Sequence, residues 1–321
     1  MARILTLTLN PALDLSLGMG PLRLGEVNRT QSTRLDVGGK GINVARVLVS
    51  LGHDVTVSGL LGADNASTFV RAFATLGLHD AFLRLPGETR MNVKLSEPDG
   101  RITDLNGAGL EVPEGALGQL RERLEGLLKG LDAVAICGSL PPKLPPLWFA
   151  ELITSLRARG MAVWLDTSGA ALKAGLGARP TAVKPNETEL AEWAGRPLDG
   201  FEARLQAARR LNAEGIDEVL LSMGPQGVLW TGRGDALVAT PPQVPVVSTV
   251  GAGDTLLAGT LHGMLSGWLR ERTLRFATAL AAECVRHVGV GDSKAADFQQ
   301  LQQRTLIQCP ALEPASGESA P

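Results

Sequence analysis

Two apolar patterns take turns along this chain. "RILTLTLN" (3–10) and "DVTVSGLLG" (54–62) are short apolar runs of strand length. "INVARVLVSLG" (42–52) and "NASTFVRAFATLG" (65–77) repeat apolar residues at helical spacing, and each stops on a glycine. The alternation returns further on. Strands are predicted at "LDAVAICG" (131–138), "MAVWLD" (161–166), "TAVKP" (181–185) and "EVLLSM" (218–223). Helices are predicted at "PLWFAELITSLRARG" (146–160) and "NETELAEWAG" (186–195). The chain then turns helical over 253–267 and 271–288. Strands alternating with helices predict an α/β protein with a mainly parallel sheet covered by helices.

Two segments break the rhythm. Residues 13–37 read as irregular and Gly-rich, with extended pieces such as "EVNRTQSTRL". "TRMNVKLSEPDGRITDLN" (89–106) reads as a β-hairpin, with "PDG" as its turn. Together they predict a small antiparallel sheet outside the main one, a lid built from two insertions at about 13–37 and 88–107. A lid over the strand ends would exclude water from a reaction. Its apolar strand "MNVKL" would leave an exposed face, which pairing lid to lid in a homodimer would cover. Residues 1–309 are expected to form one domain. The Pro/Ser/Ala-rich end, 310–321, is expected to be disordered.

Composition narrows the classes. The 321 residues, 44% of them hydrophobic, are enough for a sizeable core. A net charge of −2 gives no bulk basic field for nucleic acid. No apolar run has the length of a membrane span, and the N-terminus has no signal-peptide pattern. Cys137, Cys284 and Cys309 lack paired spacing and suit a reducing, cytoplasmic setting. The four histidines show no metal-ligand spacing, which argues against zinc.

Five short stretches carry candidate chemistry. In "VVSTVGAGDTLL", Gly251-Ala252-Gly253 precede Asp254 at the start of a helix. Free amides there could hold an anion, and the carboxylate could take a hydroxyl proton beside it. An ordinary helix-start carboxylate explains Asp254 as simply. "GGKGINVA" places Gly38, Gly39, Lys40 and Asn43 at another helix start, without the Walker A pattern. "KPNETE" sets Asn186 and Glu189 three apart after Lys184, spacing that suits either a hydrated Mg²⁺ or a capping box. "SMGPQGVLW" reads as a hairpin that could border a nucleotide. Asp14, beyond the first strand's end, could bind sugar hydroxyls, and Arg90 offers a fork for phosphate.

In this order the stretches resemble the ribokinase-like (PfkB) family of carbohydrate kinases over about residues 3–290. The resemblance implies a three-layer α/β/α fold and ATP with Mg²⁺ as cofactor. It implies Asp254 as catalytic base, with the Gly251, Ala252 and Gly253 amides as an anion hole for the transferred phosphoryl group. Asn186 and Glu189 match the family's NxxE motif and would organise the metal through water. Lys184, Asn186, Ser222, Gly224 and Gly227 fall on nucleotide positions. Asp14, Gly38, Gly39 and Asn43 fall on sugar positions. Arg90 and Ser139 would hold the substrate's phosphate, with Arg29 and Lys40 as further contacts.

"TLTLNPALD", "GEVNR", "TRMNVKL" and "VVSTVGAGD" are most similar to members that phosphorylate fructose 1-phosphate at O6. Members acting on fructose 6-phosphate or tagatose 6-phosphate are the alternative, and a non-catalytic sugar-phosphate sensor is the alternative of another class. Members that use a monovalent cation carry an aspartate where this chain has Ser248. That route to potassium activation therefore lacks its carboxylate.

Overall fold

The computed structural model describes residues 1–232 and 234–310. All of the expected tail except Pro310 lies outside the described residues. The chain opens with β1 (Arg3–Thr8), β2 (Ala12–Met19), β3 (Thr30–Gly38), α1 (Lys40–Ser50), β4 (Asp54–Gly62) and α2 (Ala66–Leu76). Two short strands follow, β5 (His79–Asp80) and β6 (Leu83–Leu85), then β7 (Met91–Ser96) and β8 (Ile102–Asn106). The middle runs α3 (Ala116–Leu127), β9 (Ala133–Cys137), α4 (Pro146–Ala158), β10 (Ala162–Asp166), α5 (Gly169–Gly177), β11 (Ala182–Val183), α6 (Glu187–Ala194) and α7 (Gly200–Ala213). The chain continues with β12 (Glu218–Ser222), β13 (Val228–Thr231), β14 (Ala236–Thr240), α8 (Ala252–Leu265), α9 (Arg270–Cys284), α10 (Phe298–Arg304) and β15 (Leu306–Gln308).

The main sheet has the order β15-β14-β13-β12-β11-β10-β9-β1-β4-β5, with β6 beside β4. From β12 to β5 every pairing is parallel, and β13, β14 and β15 form an antiparallel edge. β1, β9 and β10 are buried almost throughout, which is why they read as continuous apolar runs rather than alternating ones. One core lies under α1, α2, α8 and α9, and a second under α3 to α7, giving three layers. Strand order reverses at β1, which lies between β4 and β9. A ligand cleft forms at such a switch point, beyond the carboxyl ends of the strands.

The small second sheet has the order β3-β2-β7-β8. Each insertion supplies an antiparallel pair, and the two pairs join through a parallel β2–β7 edge. Its two faces differ in character. Asp36, Asp14, Asn92 and Asn106 form one cross-strand row, and Leu35, Leu15, Val93 and Leu105 form the next, on the opposite face. Leu35 and Leu105 are about half exposed, at 45% and 55%.

Some elements differ from expectation. Residues 13–37 hold two regular strands. Six of the nine residues of β3 are exposed, so no apolar alternation marks them. "PVVSTV" (245–250), though rich in β-branched residues, forms no strand. Prolines 241, 242 and 245 remove donors there, and the amides of Val247 and Ser248 both donate to the Val285 carbonyl instead. The strand at "TAVKP" is only two residues long, and the last long helix ends at Cys284.

Candidate active site

The starts of α1, α8 and α6 gather near the ends of β10 and β11. α1 and α8 pack side by side and present their first turns to the same place. Gly251, the N-cap of α8, takes a left-handed conformation (φ 82°, ψ −8°) that suits glycine. The Ala252 amide donates to the Thr249 carbonyl at 3.3 Å. The amides of Gly251, Gly253 and Asp254 have no hydrogen-bond partner among the described residues. The turn therefore presents unpaired donors at a helix start, an arrangement able to hold an anion, with Ala252 engaged in holding the turn.

Asp254 is 5% exposed. Its Oδ2 accepts from the Asn43 amide at 2.8 Å. Burial, and after it the nearby Asp166 charge, push its carboxyl up to about 6. The Asn43 bond and the ammonium groups of Lys40 and Lys184 pull the other way. A buried carboxylate with such a proton affinity, beside free amides, can accept a hydroxyl proton as that oxygen attacks a phosphoryl group.

The side of the cleft expected to take the sugar is built on glycines. A Cβ at Gly38 would overlap the Asp14 carboxylate, and a Cβ at Gly41 would overlap the Thr8 hydroxyl. Asp14 is not a loop residue beyond β1. It stands on β2 in the lid, where the Asn92 amide donates to its Oδ1 at 2.8 Å. Burial raises its carboxyl above the ordinary value. Sequence reasoning missed Asn92, whose only signal is its register opposite Asp14.

Arg90 spans three backbone carbonyls. Its guanidinium donates to Pro11 at 3.3 Å, Gly107 at 2.9 Å and Asn10 at 3.1 Å, tying the lid to the loop after β1. The Asn10 amide in turn donates to Ser139 Oγ at 3.2 Å, which brings Arg90 and Ser139 into one cluster. Arg29 is exposed and has no hydrogen bond or ion pair with these groups among the described residues.

On the opposite side, Asn186 is the N-cap of α6 and Glu189 completes a capping box. The Glu189 amide donates to Asn186 Oδ1 at 2.9 Å, and the Asn186 amide to Glu189 Oε2 at 2.8 Å. The box leaves Glu189 Oε1 and the Asn186 side-chain amide uncommitted among the described residues. Ser222 bridges to Asn186 through a parallel backbone contact. Gly224 has open space around it. Gly227 is needed for packing, because a Cβ there would overlap the Ala239 carbonyl.

Between the two sides stands Asp166, at the end of β10. Lys40 Nζ lies 2.9 Å from its Oδ1, and Lys184 Nζ 3.1 Å from its Oδ2. Burial alone would raise the Asp166 carboxyl, but the two ammonium groups outweigh it and hold it low. Burial alone would lower Lys40, and Asp166 outweighs that too, so its ammonium is held well above the ordinary lysine value. Lys40 thus faces Asp166 in the middle of the cleft.

The model of the pfkB family carbohydrate kinases matches residues 11–297. The chain belongs to that family. This kinase is 43% identical over 315 residues to the 1-phosphofructokinase of Vibrio cholerae, covering 98% of this chain and 99% of that one. It is 45% identical over 289 residues to the 1-phosphofructokinase of Rhodobacter capsulatus, covering 89% and 92%. The crystal structure of phosphofructokinase-2 from Escherichia coli in complex with fructose-6-phosphate superposes with a TM-score of 0.86. It is 27% identical and covers 94% of this chain and 99% of that one. The three-layer fold with its small accessory sheet is that of these kinases. No described helix is long and apolar enough to cross a membrane.

Proposed function

We propose that this kinase transfers the γ-phosphoryl group of ATP to O6 of fructose 1-phosphate, giving fructose 1,6-bisphosphate. The observation that carries the chemistry is the meeting of Asn43 and Asp254 beside the unpaired amides of the Gly251–Gly253 turn. The near full-length likeness to 1-phosphofructokinases supports the choice of sugar phosphate. Asp14 and Asn92 hold sugar hydroxyls, and Arg90 and Ser139 lie where the existing phosphate would sit. Asp254 takes the O6 proton as that oxygen attacks in line, and the turn amides bind the charge that develops on the phosphoryl oxygens. Lys184, Asn186, Ser222 and Gly224 border the nucleotide.

The donors around Asn186 and Glu189 suit a magnesium ion that keeps its water. They offer one neutral amide and one carboxylate oxygen, and no cluster of three metal-ligating side chains occurs among the described residues. Bound with ATP there, Mg²⁺ would neutralise phosphate charge. Residues 1–309 act as one unit, with the accessory sheet as a lid that excludes water. The row Leu15, Leu35, Val93 and Leu105 would be covered by a second copy in a homodimer. The setting is cytoplasmic.

A coupled ADP-release assay tests this reading on fructose 1-phosphate, fructose 6-phosphate and tagatose 6-phosphate. The highest kcat/KM is expected with fructose 1-phosphate. Preference for either 6-phosphate reassigns the substrate, and binding without ADP release would leave a sensor.

A further inference from the structure

The turn that carries Asp254 has little of its own to hold it. Inside it the Ala252 amide donates to the Thr249 carbonyl at 3.3 Å and the Val250 amide to Ser248 Oγ at 3.2 Å, both at the long end for such bonds. Its bracing comes from residues 285–292, which follow α9 and form neither helix nor strand. The Val285 carbonyl accepts from the Val247 and Ser248 amides at 2.7 and 3.1 Å. A Cβ at Gly251 would stand 2.8 Å from the Gly289 carbonyl oxygen, so the two backbones lie in contact. The Gly291 amide donates to Oγ1 of Thr255, a fully buried residue in the first turn of α8, at 3.1 Å.

That segment hangs on one side chain. Glu283, the last residue but one of α9, is 4% exposed. Its Oε2 accepts from the Asp292 amide at 2.7 Å, and His287 Nε2 lies 2.9 Å from its Oε1. The two contacts gather residues 287 and 292, so Gly289 and Gly291 between them are kept against the turn. A buried carboxylate is costly unless its oxygens are bonded, and here both are bonded to this one segment. We propose that Glu283 is a positioning residue for phosphoryl transfer. It fixes residues 285–292, and they hold the free amides of Gly251 and Gly253 in register with the Asp254 carboxylate. Donors preset in this way need no reorganisation during the reaction. This rests on the reading of Asp254 as the base.

The test is Glu283→Ala, read by steady-state kinetics, calorimetry and hydrogen exchange. Its kcat is expected to fall by about 10²-fold, the scale of a displacement of about 1 Å at a reacting group. Affinity for fructose 1-phosphate is expected to stay at the wild-type value, because Asp14, Asn92 and Arg90 are untouched. The Ala252 and Thr255 amides, bonded to the Thr249 and Gly251 carbonyls, are expected to exchange faster, while those of β1 and β4 keep their wild-type rates. Glu283→Gln is expected to recover most of kcat, since its amide oxygen still accepts from Asp292 and its nitrogen can bond His287. An unchanged kcat in Glu283→Ala, or exchange that quickens throughout the core, overturns the proposal.

If Glu283→Ala does not fold, Thr255→Val decides. It keeps the shape of the side chain and leaves Glu283 in place, but cuts the link from Gly291 to α8. A fall in kcat at unmoved sugar-phosphate affinity is expected here too, and a wild-type kcat overturns the proposal. Asp254→Asn is the control. Wild-type turnover in that variant removes the base reading itself. An inactive Asp254→Asn beside a fully active Glu283→Ala removes only the role of Glu283.

Discussion

Asn43 and Asp254 are 211 residues apart in the chain, and their side chains are 2.8 Å apart in the fold. The bond joins the first turn of α1 to the first turn of α8. It therefore couples the glycine-built start of α1 to the carboxylate proposed as the base. Any change that slides one helix along the other moves the base relative to the hydroxyl it must reach.

Replacing the base isolates its part. Asp254→Asn keeps the shape and removes the proton acceptor. Its kcat is expected to fall by roughly 10²–10⁴, with little change in sugar-phosphate affinity. A carboxylate base works only when deprotonated, and the Asp254 carboxyl is raised to about 6. The expected kcat/KM therefore declines as pH drops through about 6. Steady-state kinetics across pH checks both, and near-wild-type turnover in the variant would sink the assignment.

Arg90 has two roles that can be separated. Arg90→Ala is expected to raise KM for the sugar phosphate by about 10- to 150-fold, the loss of one or more charge-assisted hydrogen bonds at ~1.5–3 kcal/mol each. It should also loosen the lid, because three backbone carbonyls lose their shared donor. Arg90→Lys should not restore KM, since a single ammonium lacks the planar fork. An unchanged KM in the alanine variant would mean that the guanidinium only braces the loop.

At the metal side, Glu189→Gln separates capping from metal binding. Glutamine can still complete the capping box, so the melting temperature should change by no more than about 2 °C. The half-saturating Mg²⁺ concentration should rise by about 10-fold or more, the usual cost of losing an outer-sphere partner. A variant with unaltered Mg²⁺ dependence would leave Glu189 as a cap alone.

Far from the chemistry, α1 and α8 are pinned at their other ends by two histidines. The Ala2 amide donates to His53 Nδ1 at 3.2 Å, so the His53 proton sits on Nε2 and points to His262 Nδ1, 2.8 Å away. Both rings must be neutral for this bond. Burial, and then the neighbouring His53, lower His262 to about 4, and burial also lowers His53. The unfolded chain, with histidine near 6.5, binds these protons first. Their contribution to stability is thus full above about pH 6.5 and is lost as pH falls toward 4. Urea unfolding at pH 7 and pH 5 should show a larger loss in the wild type than in His262→Gln. Equal losses would exclude the pair as the cause.

Much of this was legible in the sequence because it is local. The βα alternation, the glycine turn before Asp254 and the Asn186–Glu189 spacing all lie within short windows. What stayed hidden depends on tertiary contact. Asp166 ends an ordinary buried strand, and only the fold brings two lysines to it. Asn92 gains meaning only from the register that sets it opposite Asp14. The lid strand β3 is mostly exposed and so lacks apolar alternation. "PVVSTV" looks like a strand by residue type, but Pro245, the prolines just before it and its bonding to Val285 keep it out of any sheet.

The parallel edge between β2 and β7 bears on the order of folding. Asp14 and Asn92 meet across 78 residues of chain, with α1, β4 and α2 between them. Such a pairing gains nothing until that whole stretch has collapsed, because loop closure must precede it. The wall that Asp14 and Asn92 form therefore closes only after that stretch has collapsed. Sugar-phosphate binding should then appear later in refolding than the helical signal.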